Sequence, residues 1–199
     1  EMQESGGRDN LVSSAGARGP FQIMPDTARD PGYGLSPMAN IDDPAEVRSV
    51  LSHGGEGIGL YRTEAIYLNR KEFPQEEELF RAYRQVSEGI RPHPVVFRIV
   101  DVGGDRYVQP FNLVREENPN LGLRGIRFCL KHQDVFRTQL RALLRVSAHG
   151  KIQIMFPMVS SIEEFRAARA VLEDVKTELR RAGVAFAETI ASGVMLEVP

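Results

Sequence analysis

Short apolar runs separated by helix-length segments constrain the fold of this chain more than any other feature. The runs are GIGLY at 57–61, VVFRIVDV at 95–102, KIQIMFPM at 151–158 and GVMLEV at 193–198. They lack the regular polar alternation that marks a strand with one solvated face. Buried strands that alternate with helices predict a mostly parallel α/β sheet with helices on both faces.

The helices between these runs are predicted from caps and apolar stripes. Asp43, Pro44 and Glu46 supply an N-cap, a first-turn proline and a capping-box acid for a helix that reaches about residue 53. Apolar residues at helical spacing predict further helices at about 75–88 and 133–148. Ser160 and Glu163 are predicted to cap a long helix that ends near residue 182.

The number of strands leaves two α/β architectures open. A (β/α)8 barrel of the TIM type takes about 250 residues, so a chain of 199 residues could supply about five of its eight strands. A doubly wound open sheet is the alternative, and periodicity alone does not separate the two. Residues 1–38 are rich in Gly, Ser and Pro and predict no long amphipathic helix.

Composition excludes several classes of protein. A net charge of −2 predicts no bulk attraction to nucleic acid or to an anionic membrane. No apolar run approaches the roughly 18 residues of a membrane span, and no signal peptide is visible. The single Cys129 excludes an internal disulfide and favours a reducing cytoplasm. Because the chain starts with Glu1 and stops in LEVP, we expect it to be a segment of a longer product.

The candidate functional residues follow the apolar runs or interrupt them. Arg62, Arg98, Arg124 and Glu197 are predicted at loop-facing ends of structure, where parallel α/β folds gather their ligands. A guanidinium group binds phosphate or carboxylate bidentately and keeps its charge. A carboxylate beside such groups suits Mg²⁺, which takes one or two carboxylates together with substrate oxygens. The set predicts a small, highly anionic substrate held with a metal ion.

Each of these residues also has a structural interpretation. Arg98 could form a buried ion pair with Asp101 or Glu64, Glu197 could form an ion pair, and Arg124 in its Gly/Asn-rich turn is favoured as a solvated surface residue.

For three further features, a structural interpretation is favoured over a functional one. Gly103 and Gly104 permit close approach of a phosphate, but a tight turn is favoured. Cys129 is interpreted as a small buried hydrophobic residue. His53 and His149 are interpreted as helix caps.

From about Ala39 to Pro199 the chain resembles a known enzyme domain. The motifs are ANIDDPAE, GGEGIGLYRTE, DVGGD, REENPNLGLRGIR, LRALLRVSAHGKIQIMFPM and GVMLEVP, in this order. They resemble the C-terminal phosphoenolpyruvate (PEP)-binding domain of enzyme I of the bacterial phosphotransferase system. The resemblance implies a cytoplasmic (β/α)8 barrel that binds PEP with Mg²⁺. It also implies phosphoryl transfer to a histidine on a separate N-terminal domain, then to a histidine-containing phosphocarrier protein in sugar uptake. A family-like homodimer stays open.

The same resemblance assigns roles to individual residues. Arg62 and Arg98 match the phosphate-contacting arginines of the family, Arg124 matches another active-site arginine, and Glu197 matches a Mg²⁺ ligand. A second metal-binding acid in a later Asn-Asp-Leu element, the active-site cysteine and the phospho-accepting histidine have no match. We therefore expect this segment by itself to be inactive in phosphoryl transfer.

Residues 1–38 resemble a different family. ESGGRDNLVSSAGARGPFQIMPDTARDPGYG is similar to the catalytic-loop region of soluble lytic transglycosylases, a fragment of lysozyme-like α fold. Glu4 matches the catalytic acid of that family, and the join falls near residues 38–40. The function hypotheses are thus a PEP-dependent phosphotransferase, a peptidoglycan lytic transglycosylase that uses Glu4, and a non-catalytic chimera or fragment.

Overall fold

Five parallel strands in one sheet form the centre of the protein. The computed structural model describes residues 36–67, 70, 72–103, 118 and 120–198. The predicted transglycosylase-like segment, including Glu4, lies outside these residues except for its last three positions, and its role stays a prediction. Among the described helices, none is long and apolar enough to cross a membrane.

Helices separate most of the successive strands. The strands are β1 (Ala39–Ile41), β2 (Ile58–Tyr61), β3 (Val95–Arg98), β4 (Ile152–Phe156) and β5 (Ser192–Val194). The α-helices are α1 (Val47–Ser52), α2 (Glu76–Gly89), α3 (Ile126–Lys131), α4 (Gln133–Ser147) and α5 (Ile162–Arg181). Short 3₁₀ helices cover Pro44–Glu46 and Thr63–Ile66.

The strand order confirms the predicted parallel α/β class. The described strands lie side by side in chain order, β1-β2-β3-β4-β5, and every neighbouring pair is parallel. A doubly wound sheet reverses its strand order at a switch point. The described strands show no such reversal, and strands that follow each other in the chain are neighbours in the sheet.

The face of the sheet toward α2 and α4 is closely packed with aromatic side chains. The Tyr61 ring lies 5.3 Å from the Phe97 ring, and the Tyr83 ring of α2 lies 5.1 Å from Phe97. Phe136 of α4 packs against Phe156 of β4 in the same way, with ring centres 6.3 Å apart. Since side chains alternate along a strand, Arg98, which follows Phe97, lies on the opposite face.

Strands β3 and β5 are shorter than predicted. β3 ends at Arg98 rather than at residue 102. Ile99 N still donates to Met155 O of β4, but the next two backbone donors bond to side chains. Val100 N donates to Gln139 Oε1 at 3.0 Å, and Asp101 N donates to Glu64 Oε1 at 2.8 Å. β5 spans Ser192–Val194 instead of residues 193–198.

The predicted capping box at the first helix is confirmed, whereas the one at the last helix lies one residue further on. Asp43 Oδ1 accepts from Ala45 N, and Glu46 Oε1 accepts from Asp43 N. At α5 the cap is Ser161, not Ser160, and its side chain accepts from Glu164 N. The short helix α3 was not predicted at all, since its six residues are too few to show a clear helical period.

Candidate active site

Arg62 and Arg98 leave neighbouring strands at the same level of the sheet. Tyr61 of β2 pairs with Phe97 of β3 in parallel register, and each arginine is the next residue along its strand. Parallel strands present their carboxyl ends at one edge of the sheet. The sequence prediction that these arginines occupy that edge is thus matched by the geometry.

Arg98 is buried and held between two carboxylates. Its exposed fraction is 5%, its Nη2 lies 3.1 Å from Glu64 Oε1, and Asp101 Oδ2 lies 3.9 Å away. The ion-pair interpretation of Arg98 therefore applies with both predicted partners. The Arg98–Glu64 ion pair does not use all of the hydrogen-bonding atoms of its two side chains. Arg98 Nε and Glu64 Oε2 are buried without a hydrogen-bond partner in the described part of the protein.

Arg124 is buried, which corrects the prediction of a solvated surface arginine. Its exposed fraction is 7%. Nε and Nη2 of Arg124 donate to the two oxygens of Asp101 at 2.9 and 3.0 Å, and Nη1 donates to Asn120 Oδ1 at 2.7 Å. Asp101 thus joins Arg98 and Arg124 in one charged cluster. The sequence showed the polar turn but not the carboxylate, 23 residues earlier, against which the turn packs.

Arg62 differs from the other two arginines because its guanidinium has no partner in the part of the chain that the structure describes. It is half-buried, and its guanidinium makes no hydrogen bond or ion pair within the described residues. Its backbone N donates to Ile41 O at 2.9 Å, which ties the end of β2 to the end of β1. Among Arg62, Arg98 and Arg124, Arg62 is therefore the arginine whose charge is not paired with a carboxylate of the described residues.

Glu197 approaches the cluster from the segment that follows β5. Its side chain is exposed, and Oε1 accepts from Met158 N at 2.9 Å. Met195, two residues earlier, places its sulfur 3.7 Å from Arg98 Nη1. Glu197 thus belongs to the same edge of the sheet, although the strand before it ends at Val194 rather than running through it.

The residues present fit a metal ion only as a partial ligand set. No group of three or more His, Cys, Asp or Glu side chains in the described ranges could enclose a cation. Mg²⁺ beside a phosphate group needs only one or two carboxylates, because waters and substrate oxygens complete its octahedron. Glu197 Oε2, which makes no hydrogen bond to the described residues, fits one such position.

Gly103 serves the packing of the chain itself. It has φ of +116° and forms an antiparallel bridge with Arg124. A Cβ at this position would lie 2.1 Å from Leu123 O, so only glycine allows this contact. The tight-turn interpretation of Gly103 and Gly104 stays a prediction, because Gly104 lies outside the described residues.

Cys129 and His53 behave as their structural interpretations predict. Cys129 is fully buried, and this burial raises the pKa of its thiol far above the usual range. A protonated, buried thiol is not a nucleophile. His53 Nδ1 lies 2.8 Å from Ser49 O in the last turn of α1, as expected for a helix cap.

Sequence reasoning missed three residues that organise this edge of the sheet. Gln139 bonds the backbone beside Arg98, and its position among Phe136, Leu140 and Leu143 on a buried stripe was an available signal. Arg127 donates to the carbonyl oxygens of Gly122, Asn120 and Met158 and fixes the loop that carries Arg124. Met158 has φ of +56°, an uncommon conformation for a non-glycine residue that the sequence does not predict.

The fold and the cluster together define a class of protein. It is a parallel α/β protein in which the buried, carboxylate-paired Arg98 and Arg124 lie at the carboxyl edge of the sheet, together with Arg62, which has no partner among the described residues. Such an edge is the usual position of an anion site in these folds.

The chain belongs to the family described as PEP-utilising enzyme, PEP-binding domain, whose model matches residues 26–199. The match begins within the segment that sequence analysis assigned to the transglycosylase-like fragment.

Curated relatives carry a consistent name. The chain is 51% identical over 161 residues to a phosphoenolpyruvate-protein phosphotransferase of Priestia megaterium, covering 81% of this chain and 28% of that protein. It is 46% identical over 175 residues to the protein of that name from Bacillus subtilis (strain 168), covering 88% of this chain and 30% of that protein. The chain thus spans less than a third of the length of the curated relatives it matches.

Proposed function

We propose that this chain is the PEP-binding part of a phosphoenolpyruvate-protein phosphotransferase of the enzyme I type. The observation that carries the proposal is the register of β2 and β3, which brings Arg62 and Arg98 to the same level at the carboxyl edge of the sheet. Membership of the PEP-binding family and the name of the curated relatives support the choice of ligand.

In this proposal the arginines have different tasks. Arg62, which has no protein partner among the described residues, contacts the phosphate group directly. Arg98 adds a second contact through Nε, a buried donor that lacks a partner in the described part of the protein. Buried donors are seldom left unpaired unless a ligand or water completes them. Arg124 is the third active-site arginine, and Asp101 holds its guanidinium in place.

Glu197 is the proposed protein ligand of Mg²⁺. The ion would neutralise part of the phosphate charge and stabilise charge that develops on the transferred group. Glu197 supplies one carboxylate oxygen while its other oxygen is held by Met158 N.

The whole protein's activity belongs to the same proposal. The five described strands are part of a (β/α)8 barrel, and residues beyond this chain complete it. The phosphoryl group passes from PEP to a histidine on another domain and then to a histidine-containing phosphocarrier protein. Sugar uptake is the process that this transfer serves.

Calorimetry with PEP and Mg²⁺ on the full-length protein tests the proposal through Arg62, because its removal leaves no carboxylate of the described residues unpaired. Arg62→Gln should weaken PEP binding about 10- to 100-fold, the expected loss of one hydrogen bond to a charged group. Its thermal unfolding should match that of the unsubstituted chain, because the guanidinium makes no described contact. This separation of binding from stability distinguishes a ligand contact from a structural arginine.

Arg91→Gln is the matched control. Arg91 is exposed, carries the same charge and lies before β3, at the opposite edge of the sheet. The Arg91→Gln variant should bind PEP with the same affinity as the unsubstituted protein. Equal PEP affinities for Arg62→Gln and Arg91→Gln, or no PEP binding by the unsubstituted full-length protein, would contradict the proposed function.

A further inference from the structure

Gln139 is a polar residue in the centre of the helix–sheet interface. It lies on α4, and its exposed fraction is 0%. Its amide contacts three other elements of the fold: Val100 N at 3.0 Å, Thr63 Oγ1 at 3.1 Å and the Tyr83 hydroxyl at 3.0 Å. Burying an amide is costly unless it is hydrogen-bonded, and here both ends of the amide are bonded.

The direction of each hydrogen bond follows from the chemistry of the partners. Val100 N–H can only donate, so it must face the amide oxygen of Gln139. The amide NH₂ group then donates to the hydroxyls of Thr63 and Tyr83. Because Thr63 Oγ1 accepts from Gln139, its own proton is available for Arg98 O, which lies 2.9 Å away.

This chain of bonds connects the backbones that carry the two phosphate-facing arginines. Thr63 is the residue after Arg62, and Val100 is two residues after Arg98. Thr63 therefore fixes Arg98 O, while Gln139 fixes Val100 N just beyond the last ladder residue of β3. The side chain of Gln139 on α4 thus fixes the positions of the two arginine-bearing segments relative to each other.

An apolar residue of similar size would fill the same volume without these bonds. Phe136, Leu140 and Leu143 on the same stripe of α4 are apolar and fully buried. Core packing therefore does not require an amide at position 139. The amide is needed instead to hold the arginine-bearing segments in place, because a fully bonded buried polar network specifies one arrangement of its members.

We propose that Gln139 is a positioning residue for the PEP site, acting on Arg62 and Arg98 through Thr63 and Val100. The inference rests on the proposed function, since it concerns the spacing of the arginines that hold the phosphate. Small displacements of binding groups weaken contacts that need a fixed geometry. Gln139 itself touches no ligand atom.

The test compares Gln139→Met with Leu140→Met in calorimetry with PEP and Mg²⁺. Both substitutions place methionine at adjacent, fully buried positions of α4, but only the first removes the amide. Gln139→Met should weaken PEP binding about tenfold, whereas Leu140→Met should leave it within about twofold. Hydrogen exchange of the Val100 amide should accelerate in Gln139→Met only, because its acceptor is lost.

A double-mutant cycle asks whether Gln139 acts through Thr63. Thr63→Val removes the hydroxyl that connects Gln139 with Arg98 O. If the inference is right, the double variant Gln139→Met/Thr63→Val binds PEP about as weakly as the weaker single variant, since both break the same connection. Losses of affinity that simply multiply would overturn the inference.

If Gln139→Met does not fold, Gln139→Glu tests the same inference. Glutamate retains an acceptor for Val100 N but draws the Thr63 proton away from Arg98 O, so the inference expects weaker PEP binding by this variant as well. Unchanged affinity in a folded position-139 variant, or equal losses in Gln139→Met and Leu140→Met, would overturn the inference alone. Absence of PEP binding by the unsubstituted full-length protein, in which all of these variants are measured, would overturn the proposed function instead.

Discussion

Arg124 donates two parallel hydrogen bonds to the carboxylate of Asp101, from Nε to Oδ1 at 2.9 Å and from Nη2 to Oδ2 at 3.0 Å. Both side chains are buried, and the same carboxylate lies 3.9 Å from Arg98 Nη2. The bidentate geometry fixes the plane of the Arg124 guanidinium, which an ammonium group could not do. Asp101 therefore orders the arginines of the candidate site before any ligand binds.

The buried Asp101–Arg124 pair should show strong energetic coupling. Asp101→Asn is expected to lower the free energy of unfolding by about 3 kcal/mol, because Arg124 loses its buried carboxylate partner. With Arg124→Met as the second substitution, a double-mutant cycle in urea should give a coupling of about 2 kcal/mol. The exposed pair Arg180–Glu188, with Nη2 2.8 Å from Oε2, is the matched cycle and should show no measurable coupling. Equal coupling in both cycles would contradict this prediction.

Glu76 should contribute stability that acid removes. Burial raises its pKa, but hydrogen bonds from Arg141 and Arg145 outweigh burial and hold the pKa below the ordinary value. A carboxyl whose pKa is lowered by folding stabilises the protein above its unfolded pKa, about 4.3. That stability is lost as pH falls through the lower folded pKa. Glu76→Gln should therefore cost about 1 kcal/mol at pH 7 and progressively less below pH 4.

The control for this pH dependence is Glu163→Gln. Glu163 occupies the first turn of α5, as Glu76 occupies the first turn of α2, but no arginine of the described residues forms an ion pair with Glu163. Urea unfolding of both variants from pH 7 to pH 3 separates the arginine pairing from the helix dipole. A loss at Glu76 that persists undiminished at pH 3 would show that packing, not charge, is responsible.

Cys129 should be unreactive in the folded protein. Its side chain is fully buried, and burial raises the pKa of the thiol far above the usual range, so the thiolate is scarce at pH 8. Iodoacetamide should modify the thiol in 6 M guanidinium chloride but not in buffer, as measured by intact mass. The chain contains one cysteine, so a single mass increment reports this site. Fast modification in buffer would show that the core around α3 opens.

Gly103 should tolerate alanine much less well than Gly183. Both have positive φ, +116° and +67°, but alanine at position 103 would place Cβ 2.1 Å from Leu123 O, whereas the space at position 183 is open. Gly183→Ala is expected to cost about 1 kcal/mol for its left-handed backbone. Gly103→Ala is expected to cost about 3 kcal/mol, because its backbone must also move. Similar melting temperatures for the two variants would refute the close contact.

Local signals predicted the elements of this fold well. The capping box at Asp43 and the helices predicted at about 75–88 and 133–148 needed only neighbours within a few turns of the chain, and all are present in the structure. Element ends were less predictable. Whether Val100 N bonds to a neighbouring strand or to a side chain depends on Gln139 of α4, which lies 39 residues later in the chain.

The candidate site, like the fold, was predicted from the sequence only in part. Sequence order and chemistry determined that Arg62 follows an apolar run, that Arg98 interrupts one and that Glu197 lies near the end of the last one. The sequence also determined the α/β class, because buried strands and amphipathic helices are patterns of neighbouring residues. Only the tertiary structure decided how each cation is used. Arg98 and Arg124 are held by carboxylates, whereas Arg62 has no such partner among the described residues. The physical reason is that burial and pairing depend on groups distant in the chain, and the register of the sheet brings those groups together.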